Sequence, residues 1–128
     1  MYGEKRFLLC RHCGKMVRVV DDKGPPLMCC GEVMADVVPN TEGAGAEKHL
    51  PVVTIVGDKV SVQIGSVLHP MDDGHHIAFV YIGTKQGLQI KSLKLGEEPV
   101  LSFSLVDDQP TAAYAYCNLH GLWMTEIK

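Results

Sequence analysis

Lys59-Val60-Ser61-Val62-Gln63-Ile64 is the stretch that decides the fold, because apolar β-branched residues alternate with polar ones over six positions. Successive side chains of a strand point to opposite faces, so this pattern predicts a β-strand with one buried face. Residues 101–105 repeat the alternation, with Ser102 and Ser104 between apolar neighbours. No long stretch has the helical period of about 3.6 residues, and we therefore expect an all-β chain.

Further strands are expected on both sides of this pattern. Residues 52–56 and 77–82 are runs of β-branched and aromatic side chains, which predicts strands buried on both faces. At residues 113–117 the tyrosines share one face, while the alanines and Cys117 share the other. Glycine, aspartate and proline separate these segments at short intervals. About seven strands are expected, which is typical of an antiparallel β-sandwich of immunoglobulin type.

The first 38 residues are expected to form a separate unit, because they hold four of the five cysteines and few apolar residues. A segment of this length does not build a sufficient apolar core by itself, so we expect a bound metal ion to stabilise it. Residues 39–46 are small, polar and glycine-rich, which indicates a linker. The expected domains are therefore residues 1–38 and 39–128.

The four cysteines of the first unit have the spacing of a metal site. Cys10 and Cys13 are separated by two residues, so both sulfurs of one tight turn can reach a single ion. Cys29 and Cys30 are adjacent, and the backbone must twist for both to face the same ion, because neighbouring side chains of an extended chain diverge. Zinc and iron both accept four thiolates, and the spacing does not choose between them. His12, inside the turn, is expected to be an exposed residue and not a ligand.

Composition and charge exclude several function classes. The formal net charge of -3 provides no electrostatic basis for nucleic-acid binding, which requires an excess of basic residues. No apolar run approaches the roughly 18 residues needed to span a bilayer. The N-terminus lacks the apolar core of a signal peptide. We therefore expect a cytoplasmic protein without a membrane partner, in which clustered cysteines bind metal more often than they form disulfides.

A second group of candidate ligands combines one thiol with several imidazoles, at positions expected to be strand ends. It comprises His49, His69, His75, His120 and Cys117. Side chains from the ends of different strands can meet at one end of a sandwich. Imidazole nitrogens with one thiolate suit a redox iron or copper better than magnesium or calcium, and the histidines are too numerous for a blue-copper site. Two metals with different ligand sets indicate electron transfer combined with chemistry.

The order and content of these motifs resemble the desulfoferrodoxin family of two-iron superoxide reductases over essentially the whole chain. The N-terminal Cys10-x2-Cys13-Gly14 and Cys29-Cys30-Gly31-Glu32 are similar to the desulforedoxin module. Three further segments are similar to the catalytic iron-binding motifs of the family: Glu47-Lys48-His49-x-Pro51, His69-Pro70-Met71-x3-His75 and Cys117-Asn118-x-His120-Gly121-x-Trp123.

The resemblance implies two iron ions per chain and a role for each motif residue. The cysteines of the first unit would hold a rubredoxin-like iron: Cys10, Cys13, Cys29 and Cys30. Four histidines would form the equatorial plane of a second, ferrous iron, with the remaining cysteine axial: His49, His69, His75, His120 and Cys117. Glu47 would ligate the oxidised iron, and Lys48 would attract superoxide to the open position. His76 matches no ligand position of the motif.

The resemblance also implies a reaction and partners. Superoxide would be reduced by one electron to hydrogen peroxide without release of oxygen. Rubredoxin or a similar small protein would donate the electrons, and the chain would form a homodimer. Two other function classes remain open. An electron carrier would use only the four-cysteine iron, and it leaves the histidine-rich group without a role. A zinc-ribbon binding module is the other, although the acidic balance argues against nucleic acid as its partner.

Overall fold

The computed structural model describes residues 6–128, and its contacts divide them into two compact units, with the division between Val38 and Pro39. Five short strands form the first unit: β1 (Arg6–Leu9), β2 (Met16–Val19), β3 (Met28–Cys29), β4 (Glu32–Val33) and β5 (Ala35–Val37). Strand β1 lies between β2 and β5 in an antiparallel sheet, and β3 pairs with β4. The core of this unit is small, with Leu8, Cys10 and Met34 as its buried members.

Seven antiparallel strands form the second unit, after one helical turn, α1 (Ala46–His49). The strands are β6 (Pro51–Val56), β7 (Lys59–Ile64), β8 (Ile77–Thr84), β9 (Leu88–Ser92), β10 (Val100–Ser104), β11 (Pro110–Cys117) and β12 (Gly121–Glu126). One sheet has the order β10-β7-β6, and the other has the order β12-β11-β8-β9. The prediction of an all-β chain with a seven-stranded antiparallel sandwich is confirmed.

The main core lies between these two sheets and follows the alternation in the sequence. Val60, Val62 and Ile64 of β7 are all buried in it, and β10 contributes Phe103. From the other sheet, β11 contributes Ala113, Ala115 and Cys117. The tyrosines of β11 lie on its opposite face, where Tyr114 packs against Tyr81 and Tyr116 stacks on Phe79. The predicted division of residues 113–117 between two faces is therefore confirmed.

Two expectations about the second unit are wrong in detail. Strand β6 is not buried on both faces: it is the edge strand of its sheet, and Val52, Ile55 and Val56 are exposed. The segment 39–46 is also not a free linker along its whole length. Its Asn40 donates its backbone N–H to the Leu122 carbonyl and accepts the Met124 N–H, which extends the sheet beyond β12. Backbone hydrogen bonding therefore orders the beginning of a segment whose side chains predict no structure.

The loops at one end of the sandwich carry the histidine-rich group. His49 ends α1 just before β6, and His69 and His75 lie in the connection between β7 and β8. Cys117 is the last residue of β11, and His120 directly precedes β12. Antiparallel pairing of β8 with β11 and of β11 with β12 brings these strand ends together. Among the described residues, no helix is long and apolar enough to cross a membrane.

Candidate metal centres

The four cysteine sulfurs of the first unit converge as the sequence predicts, and their ligand atoms lie within 4.8 Å of one another. The Sγ atoms of Cys13 and Cys29 are 3.7 Å apart, and those of Cys29 and Cys30 are 4.0 Å apart. A tetrahedral ion with metal–sulfur bonds of about 2.3 Å sets its sulfurs about 3.8 Å apart, which these separations match. All four cysteines are free thiols. The spacing of the sulfurs therefore fits a tetrathiolate iron or zinc.

The backbone twist that adjacent cysteine ligands require is present at Cys30. Its φ of 52° lies in the left-handed region, and Gly31 follows with a φ of 78°. An L-residue with a side chain rarely adopts this conformation, so the backbone is strained at Cys30. The convergence of two adjacent cysteine sulfurs, which this conformation permits, offsets the strain. Cys29 and Cys30 consequently face the same point, although an extended chain would direct them apart.

Hydrogen bonds distribute the negative charge of this cage unevenly. The backbone N–H of Cys13, 3.5 Å from the Cys10 sulfur, is the main cause that lowers the pKa of Cys10 to about 6. The pKa of Cys29 is raised, first by its hydrogen bond with Cys10 and then by that with Cys13. One thiolate thus forms readily and opposes the ionisation of its neighbours. A cation at the centre of the cage removes this opposition, because a coordinated thiol is deprotonated outright.

Four imidazole rings in the second unit form a nearly regular square. Adjacent ring centroids are separated by 4.7 Å between His49 and His69, and by 4.6 Å between His69 and His75. His120 closes the square at 5.0 Å from both His75 and His49. The diagonal from His49 to His75 is 6.5 Å. Neighbouring rings are steeply inclined to one another, as expected when each directs one nitrogen toward a common centre.

Hydrogen bonds decide which nitrogen each ring presents to the centre. The Nδ1 atoms of His49 and His69 lie 2.8 Å and 2.7 Å from the carbonyls of Gly45 and Pro70. A carbonyl only accepts, so both Nδ1 atoms carry the proton and both Nε2 atoms carry a lone pair. These two Nε2 atoms face each other at 3.2 Å. Two lone pairs at this distance repel, and a cation between them would make the interaction attractive. Two metal–nitrogen bonds of about 2.1 Å at a right angle would set the nitrogen atoms about 3.0 Å apart.

His75 and Cys117 share this centre with His49 and His69, whereas His120 lies outside the set of ligand atoms that are all within 4.8 Å of one another. His75 Nε2 is buried, and it has no hydrogen-bond partner in the part of the chain that the structure describes. A buried polar atom without a partner is costly unless something binds there. The Cys117 sulfur lies within 4.8 Å of the inward atoms of His49, His69 and His75. His120 presents Nδ1 to this sulfur at 3.6 Å and remains exposed to solvent.

Burial favours the neutral form of two of these imidazoles, His69 and His75, as metal binding requires. It is the largest of the effects that lower the pKa of His69 to about 4; the neighbouring histidines also lower it, and the Pro70 carbonyl opposes them. The pKa of His75 is lowered for the same first reason, with His120 next in importance. The Cys117 side chain is fully buried, and its sulfur accepts the backbone N–H of His120 at 3.4 Å. The donor set therefore fits a redox iron better than a hard cation.

A backbone clamp on α1 positions the residues that precede His49. The carbonyl of Glu47 accepts hydrogen bonds from the Ser66 hydroxyl and from the Val67 N–H, both at 3.1 Å. Gly65 approaches so closely that a Cβ on it would lie 2.7 Å from the Lys48 carbonyl. The side chains of Glu47 and Lys48 are exposed. Sequence reasoning did not identify this clamp, although a glycine directly after a strand is a signal for close backbone approach.

A second clamp joins the turn that precedes His75 to the turn that follows Cys117. The Asn118 side chain accepts the His76 N–H at 2.8 Å and donates to the Gly74 carbonyl at 3.0 Å. His76 itself lies outside the ring square, and its Nδ1 is 3.0 Å from the Asp72 carbonyl. His76 is thus a turn-stabilising residue. His12 is also exposed, and its Nε2 lies 3.0 Å from a Glu32 carboxylate oxygen.

Comparison with known proteins gives a family match over most of the chain. The sequence model of the family described as Desulfoferrodoxin matches residues 41–126. The chain belongs to the desulfoferrodoxin family. A desulfoferrodoxin homolog from Archaeoglobus fulgidus is 40% identical over 116 residues, which cover 91% of this chain and 92% of that protein. The desulfoferrodoxin of Nitratidesulfovibrio vulgaris is 38% identical over 117 residues, with coverage of 91% and 92%.

A solved structure extends the similarity to the fold. The superoxide reductase from Treponema pallidum is 38% identical to this desulfoferrodoxin-family chain and superimposes with a TM-score of 0.83. The match covers 98% of this chain and 100% of that one. Together with the convergent ligand groups, membership of the family makes the chain compatible with two iron sites, one on four cysteines and one on histidines and a cysteine.

Proposed function

We propose that this chain is a superoxide reductase that converts superoxide to hydrogen peroxide. The observation that carries the proposal is the square of four imidazoles with the buried Cys117 thiol beside it. Membership of the desulfoferrodoxin family and the likeness to a solved superoxide reductase support it. The reaction consumes one superoxide, one electron and two protons, and it forms one hydrogen peroxide without release of oxygen.

In this proposal the two units have different tasks. Residues 1–38 form a desulforedoxin-like module whose iron carries electrons, held by Cys10, Cys13, Cys29 and Cys30. Residues 39–128 form the catalytic domain, whose iron is held by His49, His69, His75, His120 and Cys117. When bound, this second iron supplies the electron for superoxide. Electrons reach the protein from rubredoxin or a similar small donor, and the protein acts as a homodimer.

The chain's own residues hold the centre and guide the anion. Carbonyls of Gly45 and Pro70 fix two imidazoles with their lone pairs inward, and the His120 N–H moderates the charge of the Cys117 sulfur. Lys48 is an exposed cation one residue before His49, and it raises the local concentration of an anionic substrate. Glu47 is an exposed carboxylate on the same helical turn and is assigned as the ligand that holds the oxidised iron. Water supplies the protons at the solvent-exposed His120 side of the square.

Stopped-flow mixing of the reduced protein with superoxide tests the reaction. We expect one hydrogen peroxide per superoxide, no oxygen release, and two irons per chain. Cys117→Ser should abolish the thiolate-to-ferric absorption band of the histidine centre and leave the bands of the four-cysteine iron unchanged. Oxygen release with half the peroxide would identify dismutation instead, and a colourless protein with one zinc would contradict the proposal.

A further inference from the structure

Trp123 contacts two adjacent corners of the histidine square. Its ring stacks on the His49 imidazole, with a centroid separation of 4.8 Å and an interplanar angle of 17°. The same indole donates Nε1–H to the carbonyl of His120 at 3.1 Å. Trp123 is 5% exposed and is the one tryptophan of the chain. A single buried side chain thus touches one ring directly and the other through its backbone.

These two contacts act on degrees of freedom that the other hydrogen bonds leave open. The Gly45 carbonyl fixes one atom of His49 but does not by itself fix the plane of the ring. A parallel indole face in contact with the imidazole restricts its rotation. His120 is exposed and therefore lacks packing on its solvent side. The hydrogen bond to its carbonyl restrains the turn that also carries Cys117.

Trp123 is itself held rigidly enough to serve this purpose. Its backbone lies in the central part of β12, opposite Ala115 of β11. On the other side of β12, Asn40 forms a parallel bridge with it. The residues before and after it, Leu122 and Met124, bond to the backbone of Asn40. A side chain on a strand paired on both sides is more precisely placed than one on a loop.

We propose that Trp123 is a positioning residue of the histidine centre: its ring sets the plane of His49, and its indole N–H holds the His120 turn. The inference rests on the metal site of the proposed function, and it does not depend on the reaction there. Partners that orient metal ligands typically contribute 10- to 100-fold to metal affinity. Trp123 is assigned to that class of residue.

Two substitutions separate the two contacts. Trp123→Phe keeps an aromatic face against His49 and removes the indole N–H, whereas Trp123→Leu removes both. Iron release from the holoprotein to a ferrous chelator should accelerate by about 10- to 100-fold in Trp123→Leu and by about tenfold or less in Trp123→Phe. The thiolate-to-ferric band should also shift in both variants. Phe103→Leu is the matched control, because Phe103 is a buried core aromatic that lies opposite Val60, near the end of β7 that is remote from the histidines.

The control should lower thermal stability without changing the release rate or the band. If Trp123→Phe releases iron at the wild-type rate and keeps the wild-type absorption band, the role of the indole N–H is overturned. If folded Trp123→Leu gives the same result, the whole inference is overturned. In the wild type, filling the histidine site while the four-cysteine site stays loaded should quench tryptophan emission; unchanged emission would overturn the stack, whether or not Trp123→Leu folds. None of these readouts involves superoxide, so failure of the proposed reaction would leave them intact.

Discussion

Lys48 is the residue whose charge is expected to act on the substrate before any contact is made. It is exposed on α1, next to His49. Lys48→Ala should slow the reaction with superoxide by about 3- to 10-fold at low ionic strength, because one steering charge is lost, and it should flatten the salt dependence. Stopped-flow rates at several salt concentrations measure both effects. Lys59→Ala is the matched control, because this exposed lysine lies at the start of β7 and the end of β7 leads toward the site. Equal rates in wild type and Lys48→Ala would contradict the steering role.

Asn118 is an exposed residue whose side-chain hydrogen bonds join the two ligand-bearing turns. Asn118→Ala removes the bonds to the His76 N–H and the Gly74 carbonyl, so we expect a loss of about 1 to 2 kcal/mol in the free energy of unfolding. His75 and Cys117 should then be less well aligned, and iron should be released faster. Thermal unfolding and a chelator assay measure the two effects. Asn118→Asp keeps the acceptor but not the donor, and should be intermediate.

At the residue scale, the sequence predicts candidate ligands but not the residues that support them. The motifs around His49, His69 and Cys117 contain residue types whose chemistry implies metal binding, whatever surrounds them. The stack of Trp123 on His49 joins positions far apart in sequence, and only strand pairing brings them together. Likewise, the position of His76 directly after a ligand motif does not reveal that its ring bonds to a turn carbonyl.

At the scale of elements, the clamp on α1 depends on a glycine. A Cβ on Gly65 would overlap the Val67 carbonyl oxygen and lie 2.7 Å from that of Lys48, and the φ of Gly65 is +85°. Gly65→Ala should therefore destabilise the protein by at least about 2 kcal/mol and displace the turn before His49. Urea unfolding and the iron content of the purified variant measure these effects. Gly57→Ala is the control, because Gly57 also has positive φ but has open space at its Cβ position; equal losses in the two variants would mean that the close approach is unimportant.

The strands differ in how well their sequences predict them. Alternation identifies β7 because a strand with one buried face has a period of two. The same reasoning fails for β6, since a run of β-branched residues occurs both in central strands and in exposed edges. Only the order of strands in the sheet places β8 in the centre and β6 at an edge. That order follows from long-range pairing, which a local pattern does not encode.

At the scale of the whole molecule, the two units differ in their dependence on metal. The hydrophobic cluster of the first unit has three buried members among the described residues, Leu8, Cys10 and Met34, which is too little to stabilise the unit alone. Cys13→Ser should therefore abolish amide exchange protection in residues 6–38 and leave it intact in β7, β8 and β11. Hydrogen exchange with mass spectrometry measures this. Superoxide reduction should persist when an external electron donor is supplied; complete loss of activity would mean that the four-cysteine iron is obligatory.

The square arrangement of the imidazoles has a consequence for metal selectivity. For a given set of donors, zinc binds more tightly than ferrous iron, so donor chemistry alone would favour the wrong metal. Zinc prefers four ligands at the corners of a tetrahedron. The carbonyl hydrogen bonds of His49 and His69 turn both Nε2 atoms inward, and the four rings lie at the corners of a square. The entropy cost of ordering these rings falls on folding, and we expect an ion that accepts a square of imidazoles to bind with less rearrangement of the rings than zinc does.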